Sequence, residues 1–91
     1  MKSLPNSVNF YKSTPEFNEM SVPLALKRDH TTTAGVWAKI NVLEGALRYC
    51  ISAEIPEEHK LTVGVDGIIE PQVKHHVDVS EPVRFRVDFY R

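Results

Sequence analysis

The segment that decides the fold runs from His75 to Tyr90 and reads HHVDVSEPVRFRVDFY, in which apolar and polar side chains alternate. A period of two residues is typical of a β-strand with one buried face. We therefore predict two strands, at residues 75–79 and 83–90, separated by a turn at residues 80–82. In the second strand the inward apolar row is Val83, Phe85, Val87 and Phe89, and the outward residues are Arg84, Arg86, Asp88 and Tyr90.

The first of these strands places a titratable side chain among apolar neighbours. His75 shares its face with Val77 and Val79, whereas His76 and Asp78 point to the other side. An imidazole in that position can be a packing residue, a metal ligand or a general acid or base. The sequence leaves these three interpretations of His75 open.

Five further strands are predicted upstream, at residues 8–11, 24–29, 36–43, 46–53 and 61–65. Turns are predicted at Glu44-Gly45 and Asp66-Gly67, and the charged residues 54–60 are expected to form a loop in solvent. The count is about seven or eight short strands spaced roughly ten residues apart, without helical periodicity. This pattern indicates an all-β fold, either a small sandwich or a jelly-roll barrel.

Length and composition limit the function further. The 91 residues suffice for one domain, in which we expect residues 1–22 to wrap a barrel formed by residues 23–91. A formal net charge of −1, with 42% hydrophobic and 25% charged residues, favours a soluble protein without nucleic-acid or membrane partners. No membrane span or signal peptide is recognisable, so we expect a cytoplasmic location. The single cysteine, Cys50, cannot form an internal disulfide and is expected to be inert.

A set of short motifs extends over almost the whole sequence, namely Tyr11-Lys12, Pro15, Phe17, residues 29–37, residues 42–45, Leu47, Tyr49, residues 71–78 and residues 88–90. In their order and spacing these motifs resemble the TehB/YeaR-like cupin domain family. The resemblance implies a cupin-like double-stranded β-helix, often dimeric, that is linked to resistance to tellurite and related oxyanions. In TehB the methyltransferase chemistry belongs to a separate, larger domain. Because this chain has no glycine-rich nucleotide-binding loop, we do not predict methyl transfer.

The resemblance also implies where a metal ion would bind. Metal-dependent cupins are similar to one another in a first motif with two histidines and a glutamate before a hairpin glycine, and in a second motif with one more histidine. Gly45 matches the hairpin glycine and His75 the second-motif histidine, but the glutamate position falls on Ala38. Lys74 stands where the family usually has an aromatic residue, and His30 is slightly displaced from its motif position. His30 and His75 are therefore the predicted ligands of a divalent metal, which would be zinc, iron, nickel or manganese.

Two imidazoles alone seldom hold such an ion tightly, because zinc and iron sites use three or four protein ligands. Glu70 could add an oxygen, His59 could reach the site only if its loop folds back, and His76 faces away. Without a metal, we expect His30 to be a strand-end histidine bonded to the backbone, and His75 to be a core or pocket histidine.

Four other side chains are candidates for ligand contact. Trp37 and Tyr49 complete the predicted ligand pocket with His75, although both are of a residue type that commonly packs in a core. Arg84 and Arg86 share a face, and they either bind an oxyanion or pair with neighbouring carboxylates.

Three classes of function remain at this point. A metal-dependent enzyme would use a bound ion to activate water or polarise a substrate oxygen. A binding module would use the same histidines to hold a small molecule or an oxyanion without catalysis. A homodimeric interaction module would use an exposed sheet face, with no ligand in the barrel. The number of metal ligands, the polarity of the pocket and the exposed apolar surface distinguish these three classes.

Overall fold

The structure, a computed structural model, describes residues 1–91 and confirms the all-β prediction. Seven strands and one 3-10 turn make up the regular structure, and there is no α-helix. The strands are β1 (Phe10–Ser13), β2 (Phe17–Asn18), β3 (Trp37–Ile51), β4 (Glu57–Thr62), β5 (Gly67–Ile69), β6 (His75–Asp78) and β7 (Val83–Tyr90). The 3-10 turn is η1 (Leu24–Lys27). None of the helical structure has the length and apolar character needed to cross a membrane.

All strand pairs are antiparallel, and β3 is the central strand of the fold. Residues 37–45 of β3 pair with β7, and part of this first half also pairs with β5. In the second half, residues 46–51 pair with β4 on one side, and residues 48–51 pair with β6 on the other. The N-terminal strands β1 and β2 both pair with β7. The resulting sheet is barrel-like but not closed, and both halves of β3 contribute to one core.

The predicted hairpin turn at Glu44-Gly45 is wrong, because β3 continues through both residues. Gly45 has a φ of 73° and lies beside a register shift between Val42 and Glu44, which is the pattern of a β-bulge. A Cβ atom at Gly45 would collide with the carbonyl oxygen of Pro82. The glycine is therefore needed for the close approach of the β6–β7 turn to the bulge, where β3 passes from its first set of partners to its second.

The alternation in the C-terminal segment is confirmed. His75 and Val77 of β6 are buried, whereas Asp78 is exposed. In β7 the inward row forms part of the core, with Phe89 partly buried. Asp88 is an exception on the outer face: it is 4% exposed and accepts hydrogen bonds from Ser13 and Arg86. The two strands are joined by the predicted turn, but they pair with different halves of β3 and not with each other.

Three other local predictions are wrong. Residues 24–29 do not form a strand, because Pro23 precedes the 3-10 turn η1 and Leu24 points to solvent. The predicted loop at 54–60 ends at residue 56, and β4 then pairs with β3. The turn predicted at Asp66-Gly67 lies at Val63-Gly64. Gly67 begins β5, packed so tightly against Leu61 and Tyr49 that an added Cβ would lie 2.7 Å and 3.0 Å from their side chains.

Candidate functional site

The two histidines selected from the sequence, His30 and His75, are brought together by the fold. The backbone N–H of each donates to the carbonyl oxygen of the other, both at 3.0 Å, as an isolated antiparallel bridge. Their ring centroids are 4.1 Å apart, with an angle of 58° between the planes. The bridge connects the loop after η1 to the first residue of β6, so that both imidazoles lie at the same point of the structure.

Hydrogen bonds to backbone carbonyls determine which ring nitrogen carries the proton. The Nδ1 atom of His30 lies 2.9 Å from the carbonyl oxygen of Arg28, and that of His75 lies 2.9 Å from the carbonyl oxygen of Val73. A carbonyl oxygen only accepts hydrogen bonds, so Nδ1 must be the donor in both rings. In the neutral form of each ring, Nε2 is therefore the nitrogen with a free lone pair.

His75 is the more unusual of the two. Its side chain is 1% exposed, and its Nε2 atom is buried without any hydrogen-bond partner in the protein. Burial lowers the pKa of His75, and the nearby His30 lowers this pKa further, against the opposing effect of the hydrogen bond to Val73. The neutral imidazole is favoured, which leaves a buried acceptor that nothing in the protein satisfies.

A cavity of about 290 Å³ lies beside this pair and is lined by both histidines. Most of its wall is apolar and comes from the inward faces of the strands, including Ile40, Ile69, Val77, Phe85, Val87 and Phe89. Its polar wall comes from Thr14 and the consecutive threonines 31–33, together with Lys12 and Tyr11. The position of residues 31–33 at the cavity does not follow from local sequence, because it depends on the His30–His75 bridge and on the hydrogen bond from the Gln72 N–H to the Thr32 carbonyl oxygen at 3.1 Å.

The structure does not bring Trp37 and Tyr49 to this cavity. Trp37 lies on the face of β3 opposite to that of Ala38 and Ile40, so it points away from the core. Tyr49 is buried and its ring meets that of His75 edge-on, with centroids 6.0 Å apart. Its hydroxyl donates to the carbonyl oxygen of Ile68 at 2.9 Å, and the residue lines a smaller cavity of about 90 Å³. Tyr49 therefore packs against the His75 ring and does not line the main cavity.

None of the side chains considered as a third metal ligand approaches His30 and His75. Glu70 forms an ion pair with Lys2 at 3.0 Å. His59 lies in β4, where Nε2 contacts a Glu57 oxygen at 2.9 Å. His76 faces away, as predicted from the alternation. The residues that line the cavity supply two imidazoles and several hydroxyls, but no carboxylate or thiol.

The two arginines on the outer face of β7 are both paired with carboxylates. Arg84 contacts Glu16 at 2.7 Å and Glu44 at 3.3 Å, and Arg86 contacts Asp88 at 3.0 Å. Their positive charges are therefore already balanced by neighbouring acids. Neither arginine lines the cavity beside the histidines.

A second group of donors lies on the outer face of β3 and β6 and was missed by the sequence analysis. Cys50, His76 and Asp78 each place a potential ligand atom within 4.8 Å of the other two. Cys50 donates to a carboxylate oxygen of Asp78 at 3.6 Å. Burial raises the pKa of the Cys50 thiol, and the charge of Asp78 raises it further, so the protonated thiol is favoured. Only the strand register brings these residues together, because Cys50 is far from the other two in sequence.

Comparison with known proteins assigns the chain to a family. Residues 12–87 match the family model of the TehB-like domain. The chain is 27% identical over 92 residues to the probable S-adenosyl-L-methionine-dependent methyltransferase TehB of Haemophilus influenzae, covering 96% of this chain and 32% of that protein. It is also 24% identical over 99 residues to the uncharacterized protein YeaR of Escherichia coli K12, covering 99% of this chain and 83% of YeaR.

Two solved structures share the fold of this chain. A crystal structure of an Escherichia coli K12 protein superposes with a TM-score of 0.87 at 22% identity, covering 100% of this chain and 97% of that one. The crystal structure of TehB from Haemophilus influenzae superposes with a TM-score of 0.83 at 29% identity, covering 93% of this chain and 32% of that one. The chain thus spans about a third of the length of its TehB relatives. Since the family match extends over most of its residues, the chain belongs to the TehB-like domain family.

Proposed function

We propose that this domain is a small-molecule binding module whose ligand occupies the cavity beside His30 and His75. The ligand has a mainly apolar body and one hydrogen-bond donor, which His75 accepts through Nε2. The observation that carries the proposal is the buried Nε2 atom, which has no partner in the protein although His75 lines the cavity.

An unsatisfied buried acceptor is energetically costly. Leaving such a group without a partner costs about 1–3 kcal/mol, and most buried polar atoms in folded proteins are bonded. A ligand that donates to Nε2 would remove this cost at the moment of binding. The bond from Nδ1 to Val73 holds the ring in the tautomer that accepts, so the site selects for donors.

The size and lining of the cavity support the rest of the description. A volume of about 290 Å³ is close to the lower limit of about 300 Å³ for small-molecule sites, so the ligand is small. The strand side chains give an apolar wall, and the threonine hydroxyls give a few polar contacts that can orient a ligand. A charged molecule would lose its hydration in such a pocket, so a neutral ligand fits better.

A divalent metal between the two imidazoles is a second candidate. It is favoured by one observation, that both Nδ1 atoms are bonded to backbone carbonyls, which is how metal-binding histidines are commonly oriented. The protein supplies only two strong donors, so threonine hydroxyls, water or a substrate would have to complete the coordination. Such an ion would polarise a bound substrate oxygen. Elemental analysis of untagged protein, with His30→Ala and His75→Ala as controls, tests this candidate.

The family resemblance suggests a separate class of ligand, tellurite and related oxyanions, whose charge would have to be offset in this mainly apolar cavity. Lys12 is the residue of fixed positive charge in the lining, and its ammonium already lies 5.3 Å from the centroid of the Phe89 ring. An oxyanion would bind there through Lys12, and an oxyanion that retains a proton would also donate to His75. Tellurite added to the native protein and to Lys12→Met should give saturable binding in the first and at least tenfold weaker binding in the second.

Phenol and toluene are suitable probes of the main proposal, because the two molecules are of similar size and only phenol has a donor. We expect His75→Leu to weaken phenol binding about threefold to tenfold, which corresponds to the net value of one hydrogen bond. Toluene binding should be unchanged or tighter in the same variant. Methyl resonances of Val77 and Val87, which line the cavity, report both titrations by nuclear magnetic resonance.

His59→Leu is the matched control. It makes the same chemical change in β4, at a histidine that does not line this cavity. It should leave both affinities unchanged. Equal losses of phenol and toluene affinity in His75→Leu would overturn the assigned role of Nε2. If neither probe binds saturably to the native protein, the proposed binding function is overturned.

A further inference from the structure

We propose that Cys50, His76 and Asp78 form a binding site for a zinc-class divalent ion on the outer face of the domain. The three residues offer a sulfur, an imidazole nitrogen and a carboxylate oxygen within 4.8 Å of one another. This site is separate from the cavity, because His75 and His76 are adjacent in β6 and point to opposite faces.

Strand register places the three donors together. Cys50 of β3 lies directly opposite His76 of β6, and Asp78 lies opposite Arg48, the next residue on the same outer face. Arg48 does not occupy the site, since its guanidinium pairs with Glu58 at 2.9 Å. Both strands belong to the paired part of the sheet, so the donors are carried by regular backbone.

Two of the three ligand–ligand distances match those of tetrahedral coordination, and the third is within 4.8 Å. Zinc bonds of about 2.0–2.3 Å place the ligand atoms of a tetrahedral ion roughly 3.3–3.8 Å apart. Cys50 Sγ lies 3.6 Å from Asp78 Oδ2, and His76 Nε2 lies 3.7 Å from Asp78 Oδ1. Both measured edges fall within this range, each to a different oxygen of the same carboxylate. A small rotation of the exposed Asp78 side chain would therefore let one oxygen serve both edges.

A second layer of hydrogen bonds already orients the imidazole. His76 Nδ1 lies 2.8 Å from Asp29 Oδ1, and the Ser52 hydroxyl donates to that same oxygen at 2.8 Å. A carboxylate that accepts from one ring nitrogen while the other binds the ion is a common arrangement around zinc. Asp29 is thus a positioning residue, which directs Nε2 of His76 toward Cys50 and Asp78.

The type of donor identifies the class of ion. Thiolate and imidazole ligands favour zinc and neighbouring transition metals over magnesium or calcium, which prefer oxygen. Three protein ligands leave a fourth position open for water or for a further molecule. On binding, the ion displaces the proton of the Cys50 thiol. The site is accessible from solution because Asp78 is exposed and His76 is partly exposed.

Cobalt(II) is the probe for this site, because a cobalt–thiolate bond gives a charge-transfer absorption band that carboxylate and imidazole ligands do not give. The 91-residue chain is titrated with Co²⁺ in a non-coordinating buffer with a phosphine reductant, and Zn²⁺ is then added in competition. We expect one Co²⁺ per chain with the thiolate band, which Zn²⁺ removes. Cys50→Ser should abolish the band, and His76→Gln should abolish it or weaken binding at least tenfold.

Asp29→Asn tests the second layer, and we expect it to weaken Co²⁺ binding about tenfold to a hundredfold while leaving the thiolate band in place at saturation. His59→Gln is the control that should not change the titration, because His59 belongs to neither group of donors. Far-ultraviolet circular dichroism confirms that each variant is folded. Absence of a thiolate band in folded native protein, or an unchanged titration in folded His76→Gln, would overturn the proposal.

Discussion

His30 and His75 hold each other in place through a reciprocal pair of backbone hydrogen bonds, each 3.0 Å long, with their rings 4.1 Å apart. This bridge pairs the backbone of the loop at residues 28–33 with β6, and the contact of Asp29 with His76 at 2.8 Å joins the same two segments through side chains. It brings threonines 31–33 to the cavity and places both imidazoles at its wall. The bridge therefore builds the binding site through the backbone, and it would persist when either side chain is replaced.

His75→Leu should leave the stability of the ligand-free protein nearly unchanged or increase it. The substitution removes a buried acceptor without a partner, which costs about 1–3 kcal/mol, and it loses one hydrogen bond worth about 1 kcal/mol. Urea unfolding at pH 7.5 measures the change through the midpoint at constant slope. A histidine needed only for packing would give a different result, namely a loss of more than about 2 kcal/mol.

Stability should fall as the solution is acidified below the ordinary histidine pKa of 6.5, because of His75. Burial lowers the pKa of this residue in the folded state, so His75 is protonated first in the unfolded chain. Acid therefore stabilises the unfolded state relative to the folded state. This pH-dependent part of the free energy of unfolding is fully present above pH 6.5 and is lost progressively below it. Urea midpoints measured from pH 7.5 down to 5 should therefore decline less in His75→Leu than in the native protein. Parallel curves for the two proteins would contradict this linkage.

Tyr49 should make the protein sensitive to alkali. Burial raises its pKa above the ordinary value of 10.0, with smaller contributions from the charges of Glu70 and Glu57. The unfolded chain therefore loses the phenolic proton first, and stability is lost as the pH rises past 10. Tyr49→Phe should show a weaker decline over this range, at the cost of the hydrogen bond to Ile68, about 1 kcal/mol at neutral pH. An equally steep alkaline decline in both proteins would exclude Tyr49 as its source.

Gly45→Ala should be strongly destabilising, by more than about 3 kcal/mol. The φ of 73° costs a non-glycine residue about 1–2 kcal/mol, and the new methyl group also collides with the Pro82 carbonyl. Gly64→Ala is the matched control, since Gly64 has a φ of 84° and no atom within 4 Å of the added Cβ. It should cost only the backbone strain. Similar losses in the two variants would mean that the contact with Pro82 has no energetic weight.

Much of the strand pattern could be predicted from the sequence, because side-chain alternation is a local property. The faces of β6 and β7 and the inward position of His75 follow from it directly. Glycine was the main source of error. Gly45 and Gly67 were both interpreted as turn residues, but one permits a bulge and the other permits close packing against Leu61. Both uses depend on neighbours that are distant in sequence, which a local pattern cannot reveal.

The candidate site, too, could be predicted from the sequence only in part. The resemblance to a known family identified His30 and His75, but the buried lone pair of Nε2 depends on the hydrogen bonds that each ring makes. The outer donors of Cys50 and His76 are neighbours only through the pairing of β3 with β6. Sequence alternation places each residue on a face, whereas the strand register decides which residues meet on it.

In the proposed function, His75 Nε2 is an unprotonated acceptor whose hydrogen-bond partner is the ligand. The most direct measurement is the nitrogen chemical shift of the ¹⁵N-labelled His75 ring at pH 7.5, recorded through its long-range proton couplings while phenol is added. We predict a neutral ring with the proton on Nδ1, and an Nε2 resonance that moves toward the protonated range with saturable dependence on phenol. A proton on Nε2 in the free protein, or an Nε2 shift that does not respond while the protein remains folded, would contradict the account.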